Sequence, residues 1–295
     1  MRATDATPAE WEKWRLQVAG DDDEDLSKVF KQVGRSKRSD TRAEWARDWR
    51  TRTFCDLALH LIYERHIRGV PSESEEESPI FAEAKASALR NHASRGFFSE
   101  ADFQSLTVDR FNATWGQQPA FCKDLVEYLF RPTPYLRRID QLHPRLIVKT
   151  EELTLAEWLR YISKAELDSA SVHPLVALHT LVETGRPSDP VIKKHVTGLR
   201  KLRMQRWADL HERVFTAYGA ALRGDPDLDW LGLAESFSSA AGGAFLRSQT
   251  RTAGAMAGVD GRVLGNTVVS IVPAFVSIDN EEMETRRLQR PVVLA

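Results

Sequence analysis

The sequence predicts an all-α fold, with a helix-turn-helix region in the N-terminal half and a helical bundle in the C-terminal half. Three observations lead to this prediction. Residues 51–68 carry a continuous apolar stripe at helical spacing. Thr154 and Glu157 have the spacing of a capping box just before a second apolar stripe. Residues 191–222 keep the helical period over a long segment and end at a Gly-Asp-Pro sequence.

Composition limits the class of protein. The chain has 295 residues and a formal net charge of −1, which argues against coating nucleic acid through overall charge but not against a local basic patch. Cys55 and Cys122 lie far apart, without the spacing of metal ligands. The most apolar run, Thr267–Ile278, is too short to span a bilayer. We therefore expect a cytoplasmic protein with reduced thiols, no signal peptide, no membrane contact, no metal and no cofactor.

Residues 106–131 form the first candidate helix-turn-helix. Val108 and Phe111 give a short apolar face, and Gly116 is expected to break the helix. Pro119 suits the first turn of the helix that follows. Such a pair can place its second helix in a DNA major groove. The side chains expected to contact bases or phosphates here are those of Gln117, Gln118 and Lys123.

Residues 26–45 form the second candidate. Leu26–Val33 is predicted to be a helix ended by Gly34, and Ser39 or Asp40 is predicted to cap the next helix. Cations capable of neutralising phosphates cluster here, chiefly Arg35, Lys37, Arg38 and Arg42. An alternative interpretation is a solvated helix face on which Asp40, Glu44 and Asp48 pair with these cations.

The order of these elements resembles TetR-type bacterial transcription regulators. Thr107-Val108, Gly116, Phe121 and Lys123 follow one another as in the DNA-binding element of that family, with Gly116-Gln117-Gln118 where the family usually has Gly-Val-Ser. In the C-terminal half, the stretch Ala-Gly-Gly-Ala-Phe-Leu-Arg at 241–247 is similar to the family's dimerisation region. The resemblance implies operator binding to double-stranded DNA and a homodimer formed through residues 228–246 and 262–276.

The resemblance also implies a small-molecule effector enclosed by the long helices. The bulky or polar-tipped residues expected to line such a cavity are Trp158, Ile162, His179, Met204, Trp207, His211 and Phe245. For each of these residues, ordinary core packing is the alternative.

Four segments follow from this comparison. They are an N-terminal extension (1–40), a helix-turn-helix region (41–131), a ligand-binding and dimerisation domain (145–279) and a tail (280–295). Residues 71–79 read as a charged loop. Either this loop is an insertion after a first helix at 51–68, or residues 80–94 are the first helix and residues 1–70 are an added region.

The sequence contains no catalytic motif that we recognise, such as HExxH, a P-loop, a dinucleotide fingerprint or a Gly-x-Ser-x-Gly elbow. We therefore predict a transcription regulator that is not an enzyme and whose DNA affinity responds to a small molecule. The alternative is a helical protein-interaction module that has lost DNA binding.

Overall fold

The computed structural model describes residues 7–19, 24–35, 37–69, 80–186, 188–249 and 257–293. The all-α prediction is confirmed for this part of the chain, where the only extended pairing is one isolated bridge between Leu222 and Val276. The loop predicted at residues 71–79 lies outside the described residues.

Two compact units make up the chain. Unit 1 comprises Met1–Tyr135 and Pro174–Leu199, and unit 2 comprises Leu136–His173 and Arg200–Ala295. These units cut across the predicted segments, because residues 1–40 belong with 41–131 and because residues 174–199 belong to unit 1.

The helices of unit 1 are mostly short. They are α1 (Pro8–Val18), α2 (Ser39–Arg47), α3 (Trp49–His66), α4 (Ala86–Ala93), α5 (Glu100–Ser105), α6 (Val108–Trp115), α7 (Gln118–Leu129) and, after residues assigned to unit 2, α10 (Pro174–Gly185). A 3-10 turn also spans Leu26–Lys28.

Unit 2 is built from longer helices. They are α9 (Leu155–Val172), α12 (Trp230–Gln249), α13 (Ala257–Phe275) and the short α14 (Asn280–Thr285), together with a 3-10 turn at Lys149–Glu151. Helices α8 (Pro132–Val148) and α11 (Pro190–Ala217) contribute residues to both units.

Side-chain caps explain where several helices begin. The capping box predicted at Thr154 and Glu157 is confirmed, since the Glu157 carboxylate accepts from the Thr154 backbone N–H at 2.8 Å and the Thr154 hydroxyl accepts from the Glu157 N–H at 3.3 Å. Thr107 caps α6 in the same manner, accepting from the Arg110 N–H at 3.0 Å. At the other end of a helix, Gly219 follows α11 with φ +73°, a conformation that suits glycine.

The proline-rich stretch after residue 131 separates the predicted segments 41–131 and 145–279, and it is helical. Helix α8 runs through it, with Pro132 and Pro134 in the first turn, where a missing N–H costs little. Pro144 lies inside the helix. The division between the units nevertheless falls in this stretch, after Tyr135.

An aromatic cluster forms the core of unit 1 around α3, α6 and α7. The Phe54 and Phe111 rings meet edge to face at 5.5 Å, and Phe121 lies 4.8 Å from both Phe111 and Trp115. All four rings are buried. This packing holds α6 and α7 against the long helix α3, and edge-to-face geometry adds to the burial of apolar area.

In unit 2, α9 packs against α12, α13 and α14. The Trp158 indole is fully buried and donates to the Leu146 carbonyl at 3.0 Å. Gly265 allows α13 to approach α9 closely, because a Cβ there would lie 3.0 Å from the Cα of Arg160. The segment predicted as a tail contains α14, whose Met283 is buried because this turn covers the end of α9.

Within the described residues, no helix has the length and apolar character needed to cross a membrane.

Buried histidines make the fold sensitive to acid. In unit 2, the His211 ring lies 5.0 Å from Phe237 and 6.0 Å from Trp207, and its Nδ1 has no hydrogen-bond partner among the residues that the structure describes. Burial lowers the pKa of His211 to about 3. In the unfolded chain, histidines have pKa values of about 6.5. Below that pH, His211 therefore binds a proton in the unfolded chain but stays neutral in the folded chain.

We expect the free energy of unfolding to fall as the pH drops from about 6.5 towards 3. Each such histidine contributes up to about 1.4 kcal/mol per pH unit. The variant His211→Phe keeps an aromatic ring among Trp207 and Phe237 and should show a shallower decline. Urea unfolding at pH 7.5 and pH 5 measures the difference, and an unchanged slope in the variant would contradict the assignment to His211.

Candidate nucleic-acid interface

The segment before α2 does not form the predicted helix. Residues 26–33 were expected to be helical, but only Leu26–Lys28 make a 3-10 turn. The backbone N–H groups of Lys31, Gln32 and Val33 donate to the side chain of Asp124 on α7, at 2.8, 2.9 and 3.0 Å. The helix prediction is therefore wrong, because these donors bind a distant carboxylate and not the carbonyl groups one turn earlier.

Asp124 is fully buried and anchors this segment. Its carboxylate also accepts from the Trp115 indole N–H at 3.1 Å, so that it joins α6, α7 and the segment at 31–33. Burial raises the pKa of Asp124, and the four hydrogen bonds oppose that rise by favouring the ionised form. A buried carboxylate with this many donors is a stable structural anchor.

Gly34 ties the segment with the basic residues to α6. Its N–H donates to the Thr114 carbonyl on α6 at 2.8 Å, and its φ of +55° favours glycine. A Cβ at this position would lie 3.3 Å from Cγ of Arg42 and 3.5 Å from the Trp45 ring. The chain therefore turns tightly here, with α2 packed over the glycine.

Around this turn lie the four cations predicted from the sequence. We call them the basic cluster: Arg35, Lys37, Arg38 and Arg42. All four are exposed. The Arg35 guanidinium makes one long hydrogen bond to the Gln32 amide oxygen at 3.4 Å, and the other three form no ion pair among the described residues.

Two neighbouring cations form ion pairs with carboxylates, unlike the cations of the basic cluster. Lys31 pairs with Glu127 at 2.7 Å, and Arg47 pairs with Asp25 at 3.3 Å. Asp40 and Glu44 form no ion pair with the basic cluster, and Asp48, the third carboxylate of the alternative, pairs with Arg50 and Arg110 and not with the basic cluster. Within the part of the chain that the structure describes, no carboxylate therefore neutralises the charge of the basic cluster.

The first candidate, at residues 106–131, contains two helices separated by the predicted glycine break. Helices α6 and α7 are joined by Gly116, at φ +75°, and Gln117. Gln117 and Lys123 are exposed, as a DNA-reading role would require. Gln118 is half-buried, and its amide donates to the carbonyls of Phe81 and Ala82 at 3.3 and 3.1 Å. This outline does not by itself identify a DNA-binding motif.

The two candidates belong to one surface. Thr114, which receives the Gly34 N–H, lies two residues before the turn at Gly116, and Asp124 on α7 holds residues 31–33. Sequence spacing could not reveal this contact, because the partners are about ninety residues apart. Of the residues involved, sequence reasoning missed Asp124 and Thr114, whose types carry no signal of such a role.

Arg131 performs a similar task for the preceding segment. It is almost fully buried and follows α7 directly. Its guanidinium pairs with Glu24 at 3.1 Å and donates to the carbonyls of Val18, at 3.3 Å, and Ala19. Val18, Ala19 and Glu24 are therefore tied to the end of α7.

The residues predicted to line an effector cavity do not all fall in one unit. His179 belongs to unit 1, where its Nε2 contacts the Leu129 carbonyl at 2.8 Å and its ring stacks on Phe130 at 4.8 Å. The other six, which are all buried, belong to unit 2: Trp158, Ile162, Met204, Trp207, His211 and Phe245.

Among those six, Trp207 and His211 form part of an aromatic group that sequence reasoning left incomplete. His143 on α8 lies 5.0 Å from Trp207, and its Nε2 is buried without a partner among the described residues. Burial lowers the pKa of His143 to about 4, so that both imidazoles are neutral at pH 7. The described residues contain no group of three or more histidine, cysteine or acidic side chains arranged to hold a metal ion.

Comparison of this chain with family models, curated proteins and solved structures finds no significant match. The fold and the site therefore define an all-helical protein with an anchored, unneutralised basic cluster, and its function is inferred from that geometry.

Removing the anchor should destabilise the fold strongly. Asp124→Ala leaves two buried and two partly buried donors without an acceptor, and we expect a loss of about 3 kcal/mol or more in the free energy of unfolding. Asp124→Asn keeps one acceptor oxygen and should cost less. Chemical denaturation checks both variants, with the exposed Asp168→Ala as a control expected to change stability by about 0.5 kcal/mol or less. An Asp124→Ala variant as stable as this control would show that the anchor is not needed.

Proposed function

We propose that this protein is a nucleic-acid-binding regulator that grips duplex phosphates with the basic cluster. The observation that carries the proposal is the basic cluster itself, whose cations are exposed and fixed at their base by Gly34 and Asp124. When cations without carboxylate partners neutralise phosphates, they release the counterions condensed on the DNA. This release supplies most of the non-specific affinity for DNA.

Base reading would come from the adjoining end of α7. Gln117 and Lys123 are exposed beside the turn, and an amide side chain can pair with adenine in the major groove. The proximity of the two elements supports this division of labour, in which phosphate contacts position the protein and base contacts select the sequence. The TetR-type resemblance suggests the same arrangement.

A second candidate function is a helical protein-interaction module. It is favoured by the internal use of Gln118 and by the burial of most of α7, which leave few side chains for reading bases. Such a module would bind no DNA at low salt, so one binding experiment separates the two functions.

We further propose a homodimer formed through α12 and α13. Exposed positions of these helices include the small, uncharged Ser239, Gly242, Thr267 and Ser270, with Glu235 and Arg262 as charged exceptions. Residues 230–246 contain a single charged side chain, Glu235, in a chain with 28% charged residues. A surface so depleted in charge suits association with a second copy, since cores of interfaces exclude charges.

An effector site in unit 2 is the remaining part of the proposal. It rests on His143 and His211, whose buried nitrogens lack partners among the described residues and lie beside Trp207. A ligand that satisfied these nitrogens in one conformation better than in another could shift the population of states.

Removing two cations of the basic cluster should weaken DNA binding through its salt dependence. For Lys37→Ala/Arg38→Ala, we expect the slope of log affinity against log salt to become shallower by roughly 1.8, because each lost phosphate contact contributes about 0.9. Fluorescence anisotropy with a random-sequence duplex from 50 to 200 mM salt measures the slope.

The matched control is Lys193→Ala/Lys194→Ala, which removes the same charge from exposed positions on α11. It should leave the slope near that of the unmodified protein. Equal slopes in both double variants would assign binding to overall charge, and no binding by any form at low salt would favour the interaction module.

A charge placed on the α12 face should prevent dimerisation without damaging the fold. Gly242 is exposed in α12, and a side chain there would meet nothing within 4 Å. Gly242→Glu should therefore fold normally and convert a dimer to a monomer in light scattering. Gly198→Glu on α11, where a side chain is equally unobstructed, is the control and should remain dimeric. A monomeric unmodified protein would exclude the proposed dimer.

A further inference from the structure

Trp49, the first residue of α3, differs from the other tryptophans of the chain. It is 42% exposed, whereas the other seven are buried or half-buried. A tryptophan face open to water loses the large stabilisation that burial would give it. An isolated exposed apolar residue is common, so exposure becomes informative only together with the surroundings of the ring.

Those surroundings are cationic. The Arg50 guanidinium lies 5.9 Å from the centre of the Trp49 ring. Between residues 35 and 50 the sequence has six cations and three carboxylates. One of the three, Asp48, is occupied by two arginines, accepting from Arg50 Nε at 3.0 Å and pairing with Arg110. Arg50 therefore lies beside the exposed indole, in a stretch of sequence with an excess of positive charge.

A continuous series of contacts connects Trp49 with the basic cluster. From Gly34, the Trp45 ring lies within van der Waals distance of the position that a Cβ would occupy. The Arg110 guanidinium lies 5.0 Å from the centre of the Trp45 ring. Arg110 in turn pairs with Asp48, immediately before Trp49. These packed neighbours hold the start of α3, which carries Trp49, against the turn that leads into the basic cluster.

We propose that Trp49 is a stacking platform for an unpaired nucleobase of a nucleic acid whose phosphates lie on the basic cluster. Every base presents a π-face that an indole can stack on, and adjoining arginines attract the backbone. Within an intact duplex the bases are stacked on one another, so the platform favours a single-stranded segment or overhang. This inference rests on the proposed function and adds the kind of nucleic acid that the same surface takes.

The test compares three labelled probes by fluorescence anisotropy: a single strand of twenty thymidines, a blunt duplex of twenty base pairs, and that duplex with a ten-nucleotide overhang. Trp49→Ala should bind the single strand and the overhang probe about tenfold more weakly, since stacking on one base has this order of effect. Binding to the blunt duplex should stay within about twofold, because that probe offers no unpaired base.

Trp49→Phe separates stacking from folding, because phenylalanine retains an aromatic face and should restore most of the affinity for single strands. Tyr161→Ala removes an exposed aromatic side chain in unit 2 and should have no effect on any probe. Circular dichroism confirms that each variant is folded before its binding is compared.

Iodide quenching gives a second measurement that does not need the alanine variant. Iodide should quench a fraction of the tryptophan fluorescence that is absent in Trp49→Phe, and the thymidine strand should protect that fraction in the unmodified protein. Quenching that the strand does not change would overturn the proposal.

The outcomes also separate this inference from the proposed function. Equal losses on all three probes in Trp49→Ala, or no loss on any, would overturn the stacking platform while leaving phosphate binding intact. A failure of the unmodified protein to bind any probe would overturn both. If Trp49→Ala changed the sedimentation of the protein but not its binding to any probe, we would conclude that the indole contacts another protein chain. The stacking platform would then be excluded.

Discussion

The carboxylate of Asp124 is the interaction on which the proposed binding surface depends. It gathers three consecutive backbone N–H groups and one indole N–H in the interior of unit 1. Without this carboxylate, those donors would lack an acceptor. The resulting loss would be a large part of the free energy of unfolding of a marginally stable domain. Because the anchored segment leads directly into Gly34, the same carboxylate fixes the start of the basic cluster.

A fixed arrangement matters because phosphate recognition by long side chains loses conformational entropy. Arginine and lysine each lose about 2 kcal/mol of rotamer freedom when fully fixed. Because the backbone is already held in place, binding does not carry the additional entropic cost of ordering the turn. Arg131 and Asp124 together tie the chain at Val18, Glu24 and residues 31–33 to α7, and the side chains of the basic cluster are exposed beyond this support.

Local sequence signals predicted helices well where the partners are near in the chain. The capping box at Thr154 and Glu157 depends on residues three apart and was confirmed. The glycine break at Gly116, between α6 and α7, was read correctly for the same reason. The helix predicted at Leu26–Val33 was wrong because a carboxylate about ninety residues away competes for its N–H groups. Sequence patterns do not reveal a partner that is distant in the chain and comes close only in the folded protein.

The sequence by itself determined the all-helical class, the capping box at Thr154 and the identity of the clustered cations, because helical periodicity, capping and charge are local properties. The cap predicted at Ser39 or Asp40 was wrong, because α2 begins at Ser39 and its N-cap is Arg38, without a side-chain cap. Only the tertiary structure decided that the two helix-turn-helix candidates adjoin one another, that Gln118 bonds internally and that Trp49 remains exposed. Each of these features depends on which distant surfaces meet, and that choice is made by the packing of the whole unit.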